Sequence, residues 1–423
     1  MKEFYLKPKL FSVLKNYTTE QLLKDVIAGI IVAIIALPLS IALALASGVE
    51  PVCGIYTAIF AGFAVSLLGG SLIQIAGPTA AFATVVAGIV ATDGMSGLII
   101  PTVLAGLILM IMGVLKLGSL IKFIPHTITV GFTGGIAVTI LVGQIKDFLG
   151  LTYASGLKPI ETFEKIEANI GSISTFSPWS FLIGIVSLAI LIVYPKFEKR
   201  VPPSLIAVIV GAVLVKLIPV IDGGVNTIGE LYTIPSGFPE FTLASIEITP
   251  QAILKALPSA VIIAILSGVE SLLSCVVADG MVDSKHNSNS ELLAQGVGNI
   301  LSVMFGGIPA TGAIARTAAN AKNGGKTPVA GMVHSVVLLL ILLFLMPLAG
   351  LIPMPTIAAI LFIVSYNMSE WRKFVAIIKK GNIRDILILL VTFILTVVFN
   401  LVVGIAVGMI MAIVLRRIKT DKD

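Results

Sequence analysis

Apolar runs of helical length follow one another along almost the whole chain, and this leaves few choices of fold. Hydrophobic residues make up 57% of the 423 and charged residues only 12%, against roughly 25% charged in a soluble domain. In hydrocarbon every backbone N–H and C=O must be paired internally, so apolar runs of about 20 residues read as membrane helices. The chain is therefore expected to be an all-α polytopic membrane protein with almost no soluble domain. Residues 1–24 form a cytoplasmic N-terminal segment carrying Lys2, Lys7, Lys9, Lys15 and Lys24. They lack the short apolar region and small-residue cleavage site of a signal peptide.

Fourteen spans can be placed in order. The first runs from about Asp25 to Ala46 and is interrupted by Pro38; the second covers Val52 to Leu68. The third is broken: Gly69-Gly70 and a β-favouring run to Ala76 precede Gly77-Pro78-Thr79, which opens a short helix fading near Thr92. Spans four to seven cover about Gly97–Leu117, Thr127–Val142, Trp179–Tyr194 and Leu205–Val220, with a polar loop running to Phe176 between the fifth and sixth. The loop 221–250 has acidic residues and no Lys or Arg, and its β-branched stretches suggest a small extracellular strand or hairpin. Spans eight and nine cover Ile253–Val277 and Leu292–Met304. The tenth is the second broken segment, Gly306 to Gly331. Spans eleven to fourteen cover Val329–Met346, Thr356–Tyr366, Ile386–Phe399 and Leu401–Leu415, and a cytoplasmic tail occupies 419–423.

The net charge of +6 raises the possibility of an anionic macromolecule as partner. With the N-terminus inside, however, roughly 22 of the 28 basic residues fall on cytoplasmic segments, as the positive-inside rule requires. Membrane orientation explains the charge, no nucleic-acid partner is implied, and both termini are expected in the cytoplasm. Cys53 and Cys275 lie in apolar helices and are read as core residues.

The two broken spans are similar. Leu68-Gly69-Gly70 followed by Gly77-Pro78-Thr79 corresponds to Phe305-Gly306-Gly307 followed by Thr311-Gly312-Ala313, and each is the third span of a seven-span half. Seven is odd, so two tandem halves, 25–220 and 251–418, have opposite orientation. This is the inverted-repeat design of secondary transporters, in which the ligand binds where two broken helices meet.

Each broken span should present a helix N-terminus, with partial positive charge and free N–H donors, near the midplane. The donors expected are the amides of Thr79, Ala80 and Ala81 in the first half and those around Ala313 to Arg316 in the second. Thr311 is the expected cap. Arg316 sits about one turn inside the second short helix. An arginine at membrane depth costs at least ~2.5 kcal/mol on insertion scales and should face a cavity or ligand. The alternative is a purely structural pairing with Glu270. Glu270, read as the only acidic residue deep in a span, is a candidate for proton uptake, with Ser274 one turn on along the same face. Na⁺ held by this pair is the alternative, and no other metal site or cofactor is implied.

Lys216 and Lys255 near span ends are expected to snorkel, and His126, His286 and His334 to be ordinary interfacial residues. No hydrolase motif or complete phosphate-binding loop is present, and Gly324-Gly325-Lys326-Thr327 is only the tail of one. An enzyme is not expected.

These residues resemble the sulfate permease (SulP) family of anion transporters. Leu37-Pro38 through Gly48 and Gly54-Ile55-Tyr56 are similar to its first-span signature, and Gly77-Pro78-Thr79 to its third span. Glu270-Ser-Leu-Leu-Ser with Val277-Ala-Asp279, Asn289 to Asn299, and Ala315-Arg316-Thr317 through Gly331 are similar to its eighth to eleventh spans. The resemblance implies a fourteen-span, seven-plus-seven inverted repeat in which spans one to four and eight to eleven form a core that moves, elevator-fashion, against a gate. It implies that Leu39, Leu43, Thr79, Ala315 and Arg316 line the anion site, with Gly312 and Thr317 in the matching motif, and that Glu270 and Ser274 form the coupling-ion site. Many relatives carry glutamine and an aromatic where Leu39 and Leu43 stand, and serine in place of Ala315, which leaves bicarbonate or dicarboxylate as open as sulfate. The family also carries a C-terminal STAS domain, which is not expected in this chain. The implied activity is secondary active anion transport in a bacterial-type plasma membrane, coupled to H⁺ or Na⁺, with a homodimer as an open question. An uncoupled anion channel and a nucleobase symporter of the same fold are the alternatives.

Overall fold

The structure is a computed structural model describing residues 6–119, 125–155, 157, 159–198, 201–217, 224–233, 235, 237–242, 249–399 and 401–420. It is mostly helical. In chain order the elements are α1 (Lys9–Val13), α2 (Thr19–Ala46), α3 (Pro51–Leu68), β1 (Ala76–Gly77), α4 (Ala83–Asp93), α5 (Ile99–Val114), α6 (His126–Leu149) and α7 (Thr162–Gly171). There follow α8 (Pro178–Val193), α9 (Pro203–Leu217), α10 (Ile228–Leu231), α11 (Pro250–Val282), α12 (Ser288–Met304), β2 (Thr311–Gly312) and α13 (Ile314–Lys322). The chain ends with α14 (Pro328–Phe344), α15 (Met346–Ala349), α16 (Met354–Met368), α17 (Trp371–Lys379), α18 (Ile383–Val398) and α19 (Leu401–Thr420).

The helix starts follow from local chemistry. Pro51, Pro178, Pro250 and Pro328 open α3, α8, α11 and α14, where the missing N–H and fixed φ cost nothing. Ahead of the last three, the hydroxyls of Ser177, Thr249 and Thr327 accept from first-turn amides, satisfying donors that the helix cannot.

A helix or broken helix stands on each of the fourteen expected segments. By length and composition alone, six helices among the described residues are long and apolar enough to cross a membrane: α2, α3, α5 with the turn before it, α6, α8 with the turn after it, and α11. The loop expected to run to Phe176 contains α7, started by a capping box between Glu161 and Glu164. The Glu164 carboxylate accepts from the amides of Ile160 and Glu161, which hold it below the usual carboxylate range. In the loop 221–250 the described residues hold one helical turn, α10, rather than a hairpin, and part of that expectation lies outside the described residues.

The chain divides into two compact units. One comprises Met1–Phe82, Ile89–Ile121 and Ile228–Leu351; the other comprises Ala83–Gly88, Lys122–Thr227 and Ile352–Asp423. In the first, helices cross closely over small residues. A Cβ at Gly106 of α5 would lie 2.7 Å from the Gly296 carbonyl oxygen of α12, and one at Gly29 of α2 would lie 2.6 Å from that of Ala330 in α14. Such approaches let dispersion contacts hold helices together where lipid is as apolar as leucine. In the second unit α6 packs on α16 and α18, and buried hydroxyls join neighbours: Ser187 of α8 bonds Thr356 of α16 at 2.8 Å.

The architectural exception lies in the first unit. β1 and β2 pair antiparallel, with Ala76 opposite Gly312 and Gly77 opposite Thr311.

Candidate functional site

Both strands are two residues long because each is the extended approach to a short helix. Pro78 removes a donor and disfavours helical backbone at the residue before it. A buried, non-helical backbone must still find partners, and the two segments supply each other's. The pairing is extended by the Ala313 amide, which donates to the Ile75 carbonyl at 2.8 Å, and by the Ile75 amide, which donates to Thr317 Oγ1 at 3.1 Å.

Beyond β1 the chain makes a 3₁₀ turn, Ala80–Phe82, before α4. The Phe82 amide donates to the Thr79 carbonyl at 3.3 Å, so the amides of Thr79, Ala80 and Ala81 precede the first bonded donor of the turn. Beyond β2 the N-cap of α13 is Ala313, with no side-chain cap. This corrects the assignment of Thr311 as cap. Its hydroxyl instead meets α11, donating to the Ser267 carbonyl at 3.1 Å and bonding Ser271 Oγ at 2.7 Å. Ala313 is also removed from the expected free donors, since its amide is used on Ile75. The first intrahelical bond runs from Thr317 N to Ala313 O at 2.9 Å, which leaves the amides of Ile314, Ala315 and Arg316 at the open end of α13.

Arg316 is fully buried, at 0% exposure. Its Nη2 donates to Ser40 Oγ of α2 at 3.0 Å and to the Pro78 carbonyl at 3.5 Å. Nε and Nη1 have no hydrogen-bond partner. Gly77 makes room for the group, since any Cβ there would collide with Nη1. The expected alternative, an ion pair with Glu270, is not formed. A buried guanidinium without a counter-charge carries a desolvation cost of several kcal/mol.

Glu270 lies half-buried on α11 and accepts a 3.0 Å hydrogen bond from Thr79 Oγ1. Ser274, one turn on, is fully buried and bonds Thr317 Oγ1 at 3.4 Å, so two hydroxyls of the matching motif face each other across α11 and α13. Among the described residues no group of three His, Cys, Asp or Glu side chains could hold a metal. Leu43 is buried and Leu39 half-buried on α2, on either side of Ser40, while Ala315 is exposed beside buried Arg316. Ala80 and Ala81 are buried in the turn, and Gly312 sits in the strand pair.

Several residues went unread. Glu291 contradicts the reading of Glu270 as the only deep carboxylate. It lies on α12 at 0% exposure and accepts from Gly70 N at 2.9 Å, Gln74 Nε2 at 2.6 Å and Gln295 Nε2 at 3.0 Å. α12 begins at Ser288, a turn earlier than the apolar run suggests, which draws Glu291 inside. Asp25, also at 0% exposure, accepts from Tyr17 Oη, Gln21 Nε2, the Lys326 and Thr327 amides and Thr327 Oγ1, fastening the entry of α14 to the start of α2. Burial, and then the bond to Asp25, push the Tyr17 hydroxyl up to about 12, so it remains a donor at neutral pH. His334, expected at the interface, is fully buried on α14 with both ring nitrogens unpartnered. Ser40 had one signal, a hydroxyl two residues after a mid-span proline.

The sulfate permease family model matches residues 22–392. The chain is 44% identical over 405 residues, 95% of its own length and 74% of the relative's, to YvdB of Bacillus subtilis, whose name assigns it provisionally to sulfate transport. It is 32% identical to the bicarbonate transporter BicA of Picosynechococcus, over 92% of this chain and 69% of that one. Among solved structures, the transmembrane domain of a cyanobacterium BicA aligns with TM-score 0.79 at 28% identity, covering 92% of this chain and 98% of that one. Murine Solute Carrier 26 family member A9, an anion transporter in the inward-facing state, shares the fold with TM-score 0.88 at 20% identity, covering 99% of this chain and 72% of that one.

Proposed function

The chain belongs to the sulfate permease family, and from that premise we propose that it is a secondary active transporter of a small anion of the sulfate, bicarbonate or dicarboxylate class. It is an integral membrane protein by family and by its apolar helices. The reading places it in a bacterial-type plasma membrane with both termini cytoplasmic. One observation carries the anion: a fully buried arginine with two nitrogens unpartnered, held beside a strand pair from which two short helices open. The N-terminal ends of those helices add oriented donors and partial positive charge on the same side of the ligand's balance sheet.

In this reading the anion exchanges its water for the free Nε and Nη1 of Arg316 and for amides of Thr79 to Ala81 and Ile314 to Arg316. Ser40 holds the guanidinium in place through Nη2. Glu270, tied to Thr79 at the first helix end, takes H⁺ or Na⁺, so that the cation's occupancy and the position of the first helix end vary together. Alternating access follows from elevator-type motion of a core built on the two broken helices. An uncoupled channel would give flux without accumulation, and a nucleobase carrier would leave the arginine without a charged ligand.

The test is uptake by proteoliposomes. Labelled sulfate, bicarbonate and fumarate are offered in turn under pH and Na⁺ gradients. One of them should accumulate with saturation, and Arg316→Ala should lower uptake on the order of 100-fold, the loss of about 3 kcal/mol of charge-assisted bonding. Undiminished uptake by Arg316→Ala would overturn the reading. Glu270→Gln should abolish gradient-driven accumulation while sparing anion exchange, and full accumulation by that variant would place coupling elsewhere.

A further inference from the structure

The basic cluster from Arg372 to Arg384 has no part in the anion site, and its geometry is distinctive. α17, Trp371–Lys379, is nine residues long, about 14 Å. That is half the ~30 Å needed to cross hydrocarbon. It is set off at both ends by left-handed backbone, at Glu370 (φ 43°) and Gly381 (φ 75°), so it continues neither α16 nor α18. No residue in it is buried.

Its three faces differ in chemistry. Phe374 points inward, meeting the Phe393 ring of α18 edge-on at 5.3 Å. Trp371, Val375 and Ile378, at i, i+4 and i+7, form one ridge, and their exposures are 46%, 37% and 39%. Arg372, Lys373, Lys379 and Lys380 form the third face, all exposed. Lys373 pairs with Glu370 at 2.6 Å, and the Arg372 guanidinium lies 5.5 Å from the Trp371 ring centroid. Among the described residues no acidic group pairs with Arg372, Lys379 or Lys380 within ion-pair distance.

An exposed apolar ridge flanked by uncompensated cations is the pattern of a helix lying in the headgroup region of a bilayer. We propose that α17 is an anionic-phospholipid binding site: its ridge lies among the acyl chains just below the headgroups, while Arg372, Lys379 and Lys380 hold the phosphates. A zwitterionic lipid would satisfy the ridge alone, and the charge complementarity selects the anionic one.

The chain has two tryptophans, so Trp179→Phe leaves Trp371 as the only indole. That variant is reconstituted in vesicles of phosphatidylcholine containing either brominated phosphatidylglycerol or brominated phosphatidylcholine at equal mole fraction. The anionic quencher should be roughly threefold more effective. The preference should disappear in 0.5 M salt and on replacing Arg372, Lys373, Lys379 and Lys380 together by Gln. Equal quenching by the two lipids, or none by either, would overturn the proposal, as would a preference that survives the fourfold replacement. Neither reading depends on which anion is carried.

Discussion

The two interrupted segments meet as one strand pair yet bring opposite chemistry to it. The first, Gly69 through Phe82, is uncharged, with Ser71, Gln74 and Thr79 its polar residues, and contributes backbone and one side-chain amide. The second, Thr311 through Lys322, is polar and carries the charge. Each nevertheless has one glycine in the pair, and each glycine makes room for a polar side chain of the opposing segment. Gly77 accommodates Arg316, and Gly312 accommodates Gln74. Beyond this point the symmetry ends. Arg316 reaches Ser40 and keeps two nitrogens free, whereas the Gln74 amide is engaged on both sides, donating to Glu291 at 2.6 Å and accepting from Cys275 Sγ at 2.9 Å. A common backbone plan thus holds one cation with unpartnered nitrogens, which the proposed function assigns to the anion, and one nearly saturated hydrogen-bond network.

The comparison can be broken most directly at Gly77. A methyl there meets the far end of the Arg316 side chain, which can shift, so Gly77→Ala should displace the guanidinium without unfolding the protein. Loss of one well-placed charge-assisted bond, about 1.5 kcal/mol, predicts apparent anion affinity weakened by roughly tenfold. The variant should still express and show a normal melting temperature in detergent. Affinity within twofold of the parent would mean that Arg316 does not meet the anion from this position.

How far this site could be read from sequence depends on which residues break local rules. Pro78, Gly69-Gly70, Gly306-Gly307 and a membrane arginine each conflict with a continuous apolar helix. Both broken segments and Arg316 were therefore legible. Pairing register was not, because two-residue strands leave no period to count. Glu291 sits within one residue of the apolar run's apparent edge, so hydropathy placed it outside, while the backbone continues the helix a turn further. Thr311 illustrates a competing partner: three residues from a helix start it resembles a cap, but Ser267 and Ser271 on α11 are closer to its hydroxyl. Ser40 and Gln74 required tertiary contacts to be seen, since nothing in their local sequence says which distant side chain they meet.

Gly312 offers the milder counterpart to Gly77 and the sharper test of the asymmetry. A Cβ there would strike the Gln74 amide, whose displacement would strain its bond to Glu291. That carboxylate is fully buried and has no cation within ion-pair distance among the described residues, so it depends on its hydrogen-bond donors, Gly70, Gln74 and Gln295 among them. Removing one leaves a buried acceptor less than satisfied, at a cost of about 1–3 kcal/mol. Gly312→Ala should accordingly lower the unfolding temperature by several degrees, with apparent anion affinity within about twofold of the parent, because Arg316 keeps its Ser40 contact and its place beside Gly77. If Gly312→Ala instead weakened affinity as much as Gly77→Ala while leaving stability unchanged, the two glycines would serve one site, and the division between a binding segment and a supporting segment would fail.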